Sequence, residues 1–221
     1  MLETFNFRVI FEYLPLYGKC FVATLYLSGG GLIGALLVGT LSCAMRLSES
    51  RIISSLGGVY IESIRSTPLL AQLYFFYFGL PSLGLRMPEE ATGIIALTLN
   101  SGAYMAEIIR AGIQSISYGQ IEAAMSSGLN YFQRMRYIVL PQALGVSIPP
   151  MLGQAIVLVK DSALLSLISV VELTRAGQIL TSERSMPAEG FLTTAFFYLI
   201  IYYMLKMISN WSQKRLIFRE A

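Results

Sequence analysis

Histidine is absent from the 221-residue sequence, and charge is scarce. Asp, Glu, Lys and Arg together make up 13%, where soluble domains carry roughly 25%. The first absence excludes His-based metal sites and Ser–His–Asp or Cys–His catalysis. The second, with 55% hydrophobic residues and a mean hydropathy of +0.62, excludes an ordinary soluble globule and a disordered chain. A net charge of +3, scattered along the chain, leaves no nucleic-acid footprint. Cysteine is nearly absent too. Cys20 and Cys43, on one helix, would stand about 34 Å apart at ~1.5 Å rise per residue, beyond disulfide reach. There is no phosphate-wrapping loop of the G-x-x-x-x-G-K-[ST] kind. The one Gly-Lys pair, Gly18-Lys19, precedes Cys20 and has no glycine five positions before it, so the chain is not expected to hydrolyse ATP.

What the sequence does have is uncharged runs: Cys20 to Met45, Ser66 to Leu85, Ala91 to Ala106, Tyr137 to Val159 and Gly190 to Leu205. A bilayer core takes about 20 apolar residues per helix. The two shortest runs are extended by Ile108-Ile109 and Met207-Ile208, and long Lys stems beside them can snorkel. This predicts an all-α membrane protein with five transmembrane helices, an odd number that puts the termini on opposite sides. The first run exceeds the ~7–15 residues of a signal h-region and follows Glu3 and Glu12, so it reads as a span. Residues 1–19 read as an interfacial helix, with Phe5, Val9, Tyr13 and Leu16 at helical spacing. Arg46, Arg51, Arg110, Arg134, Arg136, Lys206, Lys214, Arg215 and Arg219 would share one side, against Arg8, Lys19, Arg86, Arg175 and Arg184 on the other. Basic loops stay cytoplasmic, which favours the N-terminus outside and the C-terminus cytoplasmic. Glu89, Glu90, Glu172, Glu183 and Glu189 then fall outside, and the polar segment 172–189 makes an outer surface. Gly29-Gly30-Gly31 and Gly34 predict close helix packing in the first span.

One cytoplasmic loop, 117–141, carries the most information. An Ala-rich helix is expected from Gln120 to Ser127, stopped by Gly128 as a left-handed cap. Asn130 with Gln133 makes a capping box for a second helix that runs into Leu140-Pro141, where the proline ring interrupts the ladder. Tyr131, Phe132 and Met135 are apolar on a polar surface, which suits docking into a partner's groove. Packing against the chain's own spans explains them as well.

Glu122-Ala123-Ala124, then three residues, Gly128, nine residues, Ile138, one residue and Leu140-Pro141 resembles the "EAA" signature of ABC importer permeases. Leu99 to Glu107, Arg110 to Ile116, Gly119-Gln120, Arg65-Ser66-Thr67-Pro68-Leu69-Leu70, Gln72-Leu73, Tyr77 to Pro81 and Val159-Lys160-Asp161-Ser162 are similar to the polar amino acid subfamily (histidine, glutamine, arginine and cystine type). The resemblance covers roughly residues 20–210. Ser66, where the family often has Gly, and Ser127, where Leu or Ile is common, depart from it. It implies a single transmembrane domain over 1–221 with the type I ABC importer fold and no catalysis or cofactor of its own. Its implied partners are a cytoplasmic ABC ATPase dimer, a second permease subunit (identical or related) and a periplasmic or extracellular amino-acid-binding protein. The resemblance implies ATPase coupling through Glu122, Ala123, Ala124, Gly128, Tyr131, Phe132, Leu140 and Pro141.

The remaining charges are weaker signals. Lys160 and Asp161 follow a long uncharged run, where charge is costly, and an amino acid's ammonium and carboxylate would suit such a pair. Snorkelling and helix capping are the plainer alternatives. Arg65, beside the second span, joins them as a substrate-path candidate, although an ion pair with Glu62 accounts for it. Glu107 and Arg110 read as a structural pair. The rival readings are an ion-coupled secondary transporter, which tends to show internal repeats not seen here, a membrane-embedded enzyme, which lacks a catalytic cluster, and a non-transporting scaffold subunit.

Overall fold

The computed structural model describes residues 5–217, with side chains through residue 212. Among these, every regular element is helical. Asn6 starts the first helix, α1 (Phe7–Arg46), by accepting a hydrogen bond from the Arg8 N–H. The helix then runs unbroken through Pro15. The segment expected as a separate interfacial helix over 1–19 is therefore the first part of α1, and residues 1–4 lie outside the described residues. A free carbonyl partner or a kink is all that an internal proline demands.

Four helical stretches are long and apolar enough to cross a bilayer: α1, α5 (Glu89–Gln114), the stretch Tyr131–Ile168, and Pro187–Ser212 within α10 (Pro187–Ile217). The expectation of five is corrected at Ser66–Leu85. Helix α2 (Arg51–Arg65) ends before Ser66-Thr67-Pro68, and α3 (Leu69–Tyr74), a five-residue π turn (Phe75–Gly79) and α4 (Leu80–Ser82) follow end to end. That piece is only about 21 Å long at ~1.5 Å per residue, short of a core about 30 Å thick. Pro68 causes the break: it offers no N–H and disfavours helix at Thr67. Gln72 closes it, donating to the Ile64 and Thr67 carbonyls at 2.8 and 3.2 Å and accepting from Asn100 of α5 at 3.1 Å.

Close approaches fix the helix directions. A Cβ at Gly31 would lie 3.0 Å from Leu97, at Gly34 2.3 Å from Thr98 and at Gly39 2.6 Å from Met105, so α1 and α5 run parallel. Gly29 has nothing within 4 Å, so the close-packing stripe is Gly31, Gly34 and Gly39 rather than the triplet. Gly112 meets Ser147 and Gly93 meets Leu165, which makes α8 (Leu140–Asp161) antiparallel to α5. The Asn6 N–H donates to Glu189 and Tyr17 stacks on Phe197, so α10 is parallel to α1. The C-terminal ends of α1 and α5 and the segment 115–139 thus share one end of the bundle. One buried core joins Leu27, Leu73, Leu97, Met105, Leu158 and Leu165. A second joins Tyr17, Cys20, Leu173, Leu180 and Ile201. The two cysteines are buried and unpaired.

Two further expectations change. Pro141 does not end its helix. Helix α7 (Tyr131–Arg134) passes through a π turn, Met135–Val139, into α8. Widening the ladder by one residue accommodates the proline's missing donor and its ring. The same device precedes Pro81, and both segments read Tyr-x-x-Leu-Pro, at Tyr77–Pro81 and Tyr137–Pro141. The segment 172–189 is not a surface throughout. Helix α9 (Leu173–Arg184) buries Leu173, Ala176, Gly177 and Leu180 between α1 and α10, and Glu172 is fully buried. Only its end, around Ser182 to Ser185, is exposed, where Tyr13 donates to Glu183 and Arg184 pairs with Glu12.

Candidate functional site

The element between α5 and α8 is built from local rules. Helix α6 (Tyr118–Ser126) ends in a Schellman turn. The Gly128 N–H donates to Met125 O at 2.9 Å and the Leu129 N–H to Ala124 O at 3.1 Å, with Gly128 at φ +79°, a conformation glycine adopts without strain. Asn130 and Gln133 form the reciprocal capping box, at 3.0 and 2.9 Å. Arg134 adds a donor to Leu129 O at 2.9 Å. Three interactions thus rivet the turn between α6 and α7.

Its surface is apolar where it projects. Phe132 is 80% exposed, Tyr118 69% and Tyr131 61%, and Tyr131 and Phe132 hold an edge-to-face contact at 5.7 Å. Met125 is exposed as well, and Met135 is half-buried in the π turn. Glu122 and Ala123 face outward, whereas Ala124 is buried against the rest of the element. Glu122 lies past the first turn of α6, so the helix dipole offers it little. A shallow groove of about 350 Å³ is lined by Ala123, Leu129 and Ile138 among others. Leu140 and Pro141 are exposed at the head of α8.

The substrate-path candidates separate. Leu158 approaches Gly31 and Leu165 approaches Gly93, which puts Lys160 and Asp161 about midway along α1. Lys160 is exposed and Asp161 half-buried. Among the described residues, Asp161 precedes the short helix Ser162–Ile168 without a side-chain capping bond to it, and no salt bridge joins it to Lys160. Arg65 sits at the end of α2 with its guanidinium 3.7 Å from Glu107 and over the Tyr104 ring, roughly 18 Å further along α5 at ~1.5 Å per residue. Its partner is Glu107, not Glu62. Arg110 pairs with the same carboxylate through two bonds, at 2.8 and 2.7 Å.

The sequence assigns no role to two buried polar groups. Gln72 and Asn100, which pair through their amides, lie in segments that carry the family resemblance, but the sequence does not show that they meet. Glu172 accepts from the Thr174 and Arg175 N–H groups at 2.9 and 2.8 Å and from the Tyr198 hydroxyl at 2.7 Å. Burial pushes its carboxyl up from the ordinary range, against the pull of those donors.

Long apolar helices packed through glycine, with a stiff helical protrusion bearing exposed aromatics at one end, define a multi-pass membrane protein. Residues 18–220 match the family described as "Binding-protein-dependent transport system inner membrane component", and the chain belongs to that family. It is 38% identical over 211 residues to the probable glutamine ABC transporter permease protein GlnM of Bacillus subtilis (strain 168), covering 96% of this chain and 98% of that protein. It is 36% identical over 214 residues to the glutamine transport system permease protein GlnP of Escherichia coli (strain K12), covering 96% and 98%. Among solved structures, a crystal structure of an amino acid ABC transporter with histidines superposes with TM-score 0.92 at 35% identity, covering 96% of this chain and 99% of that one. The MetNI methionine ABC transporter in an inward-facing form shares the fold, with TM-score 0.72 at 21% identity. The fold is thus that of a type I ABC importer permease, and the chain is an inner-membrane permease subunit of a transport system that works with a binding protein.

Proposed function

We propose that this permease forms half of the transmembrane path for a polar amino acid, with glutamine favoured by the names of its relatives. A separate ABC ATPase dimer drives it, a second permease subunit completes the path, and an extracytoplasmic binding protein delivers the solute. The chain itself is non-catalytic. The observation that carries this reading is the rigid α6–Gly128–α7 protrusion with Tyr131 and Phe132 exposed, which supplies a docking knob for the motor this sequence lacks. Glu122, Ala123, Gly128, Tyr131 and Phe132 face or shape that knob. Ala124 packs it from inside, and Leu140-Pro141 join it to α8.

The protrusion faces the cytoplasm, and the first described residues lie outside. Arg46, Arg51, Arg110, Arg134 and Arg136 at the protrusion's end favour this by the basic-loop rule. Lys214, Arg215 and Arg219 lie outside the residues whose side chains are described. Because α1 and α5 are parallel, the broken segment 51–82 is the return crossing between them. Lys160 and Asp161, about midway along α1 and with no salt bridge between them among the described residues, line the path for the solute's charged groups. Arg65, held by Glu107, serves the end near the motor. The test is pull-down of the ATPase subunit from the co-expressed complex. Replacing residues 120–136 by a Gly/Ser linker is expected to release it while the permease still inserts, and retention of the ATPase overturns the reading.

A further inference from the structure

Helices α6 and α7 are riveted to each other, and the π turn Met135–Val139 separates them from α8, so a push on them needs a direct route to that spanning helix. The structure contains one outside the signature residues. The Gln142 amide nitrogen, one residue past Pro141, donates to Gln120 Oε1 on α6 at 2.6 Å and also to the Ile138 carbonyl inside the π turn at 2.9 Å. One side chain thus ties three things together: the motor-facing helix, the widened turn and the first turn of α8.

We propose that the Gln142–Gln120 pair is the positioning contact that passes displacement of α6 to α8. A π turn interrupts the regular ladder with one extra residue, a feature that recurs at functional sites. Without a strut across it, motion of α6 and α7 dissipates as bending at Met135–Val139. With Gln142 bonded to Gln120 and to Ile138 inside the turn, α6 and the head of α8 move together. The inference rests on the coupling reading above, and the two can fail separately.

The test uses the assembled complex in liposomes, with radiolabelled L-glutamine and ATP. Gln142→Ala and Gln120→Ala are each expected to lower L-glutamine taken up per ATP hydrolysed about three- to ten-fold, the range a single hydrogen bond commands. The double variant falls no further than the worse single, because both remove the same contact. Gln120→Glu with Gln142→Lys restores most of the loss. A solute-independent readout is the ATP-induced change in maleimide reactivity of a Val146→Cys reporter on the exposed side of α8, expected to shrink in Gln142→Ala. An unchanged uptake ratio and reporter response in Gln142→Ala, or single effects that add in the double, overturns the proposal. So does loss of the ATPase from the Gln142→Ala complex, which makes the pair part of the docking surface instead. Retention of the ATPase after replacement of residues 120–136 strikes the coupling reading itself.

Discussion

Gly128 shows how much one residue's backbone decides. At φ +79° nothing lies within 4 Å of where its Cβ would stand, so a side chain there meets open space and the penalty is conformational alone, about 1–2 kcal/mol for most residues and less for Asn. Gly128→Val is therefore expected to tilt α6 off its turn and abolish binding-protein-stimulated ATP hydrolysis in the complex. Gly128→Asn should keep most of it, with equal membrane insertion of both on blots. Wild-type stimulation in the valine variant contradicts the lever. Glu172 is the opposite case. Its carboxylate caps α9 and accepts from Tyr198 while fully buried. Glu172→Ala leaves two helix N–H groups and a hydroxyl unsatisfied, and should cost about 1–2 kcal/mol, read as a lower thermal midpoint in detergent. Gly128, Asn130 and Gln133 were legible in the sequence because their partners lie within a few residues. Glu172 reads as an outer-surface acid in the sequence because its partner Tyr198, and the Thr24 and Thr194 that hold the adjacent Leu173 backbone, lie far away in the chain.

Among the elements, the two Tyr-x-x-Leu-Pro segments carry the lesson about proline. A proline announces that a helical ladder loses a bond, and a stop at Leu140 is the simplest response. The alternative, one extra residue taken up in a π turn, depends on whether the flanking helices have packing to hold them in line. Helix α8 has it, through Ser147 against Gly112 and Leu158 against Gly31, and such tertiary support is not written locally. The run Ser66–Leu85 failed as a fifth spanning helix for a related reason. Its composition is right, but Pro68 divides it, and Gln72 satisfies the carbonyls that the break exposes. The π turn before Pro141 sets the rotation of the protrusion about α8. Deleting Ile138 removes the extra residue and turns α6 and α7 by about 100° relative to α8, one residue's share of a 3.6-residue turn. The ATPase subunit should then fail to co-purify, whereas Pro141→Ala, which keeps the residue count, should retain it. Equal retention by both variants refutes a fixed angular setting.

For the whole molecule, the question is which face of the membrane each end meets. The parallel course of α1, α5 and α10, with α8 opposed, puts the start of α1, the exposed end of α9 and the start of α10 together, and the protrusion at the far end. Composition alone revealed the long apolar helices, but it missed the break in the second run and the parallelism of α1 and α5, which is set by Gly34 and Gly39 against Thr98 and Met105. At 40 residues, α1 is about 60 Å long, beyond the roughly 40–45 Å of a bilayer with its headgroups, so it extends past the membrane on at least one side. The proposed orientation puts the Arg-rich end in the cytoplasm by the basic-loop rule, and that choice would fix every other element. The check needs two single cysteines, with Cys20 and Cys43 left in place since both are buried. Ser182→Cys, on the exposed end of α9, should react with a membrane-impermeant maleimide in cells whose inner membrane is intact. Ser126→Cys, on the exposed side of α6, should react only after that membrane is opened. The reverse pattern would put the protrusion on the outer face, where no ATP-driven partner can reach it, and would leave Tyr131 and Phe132 without the groove their exposure calls for.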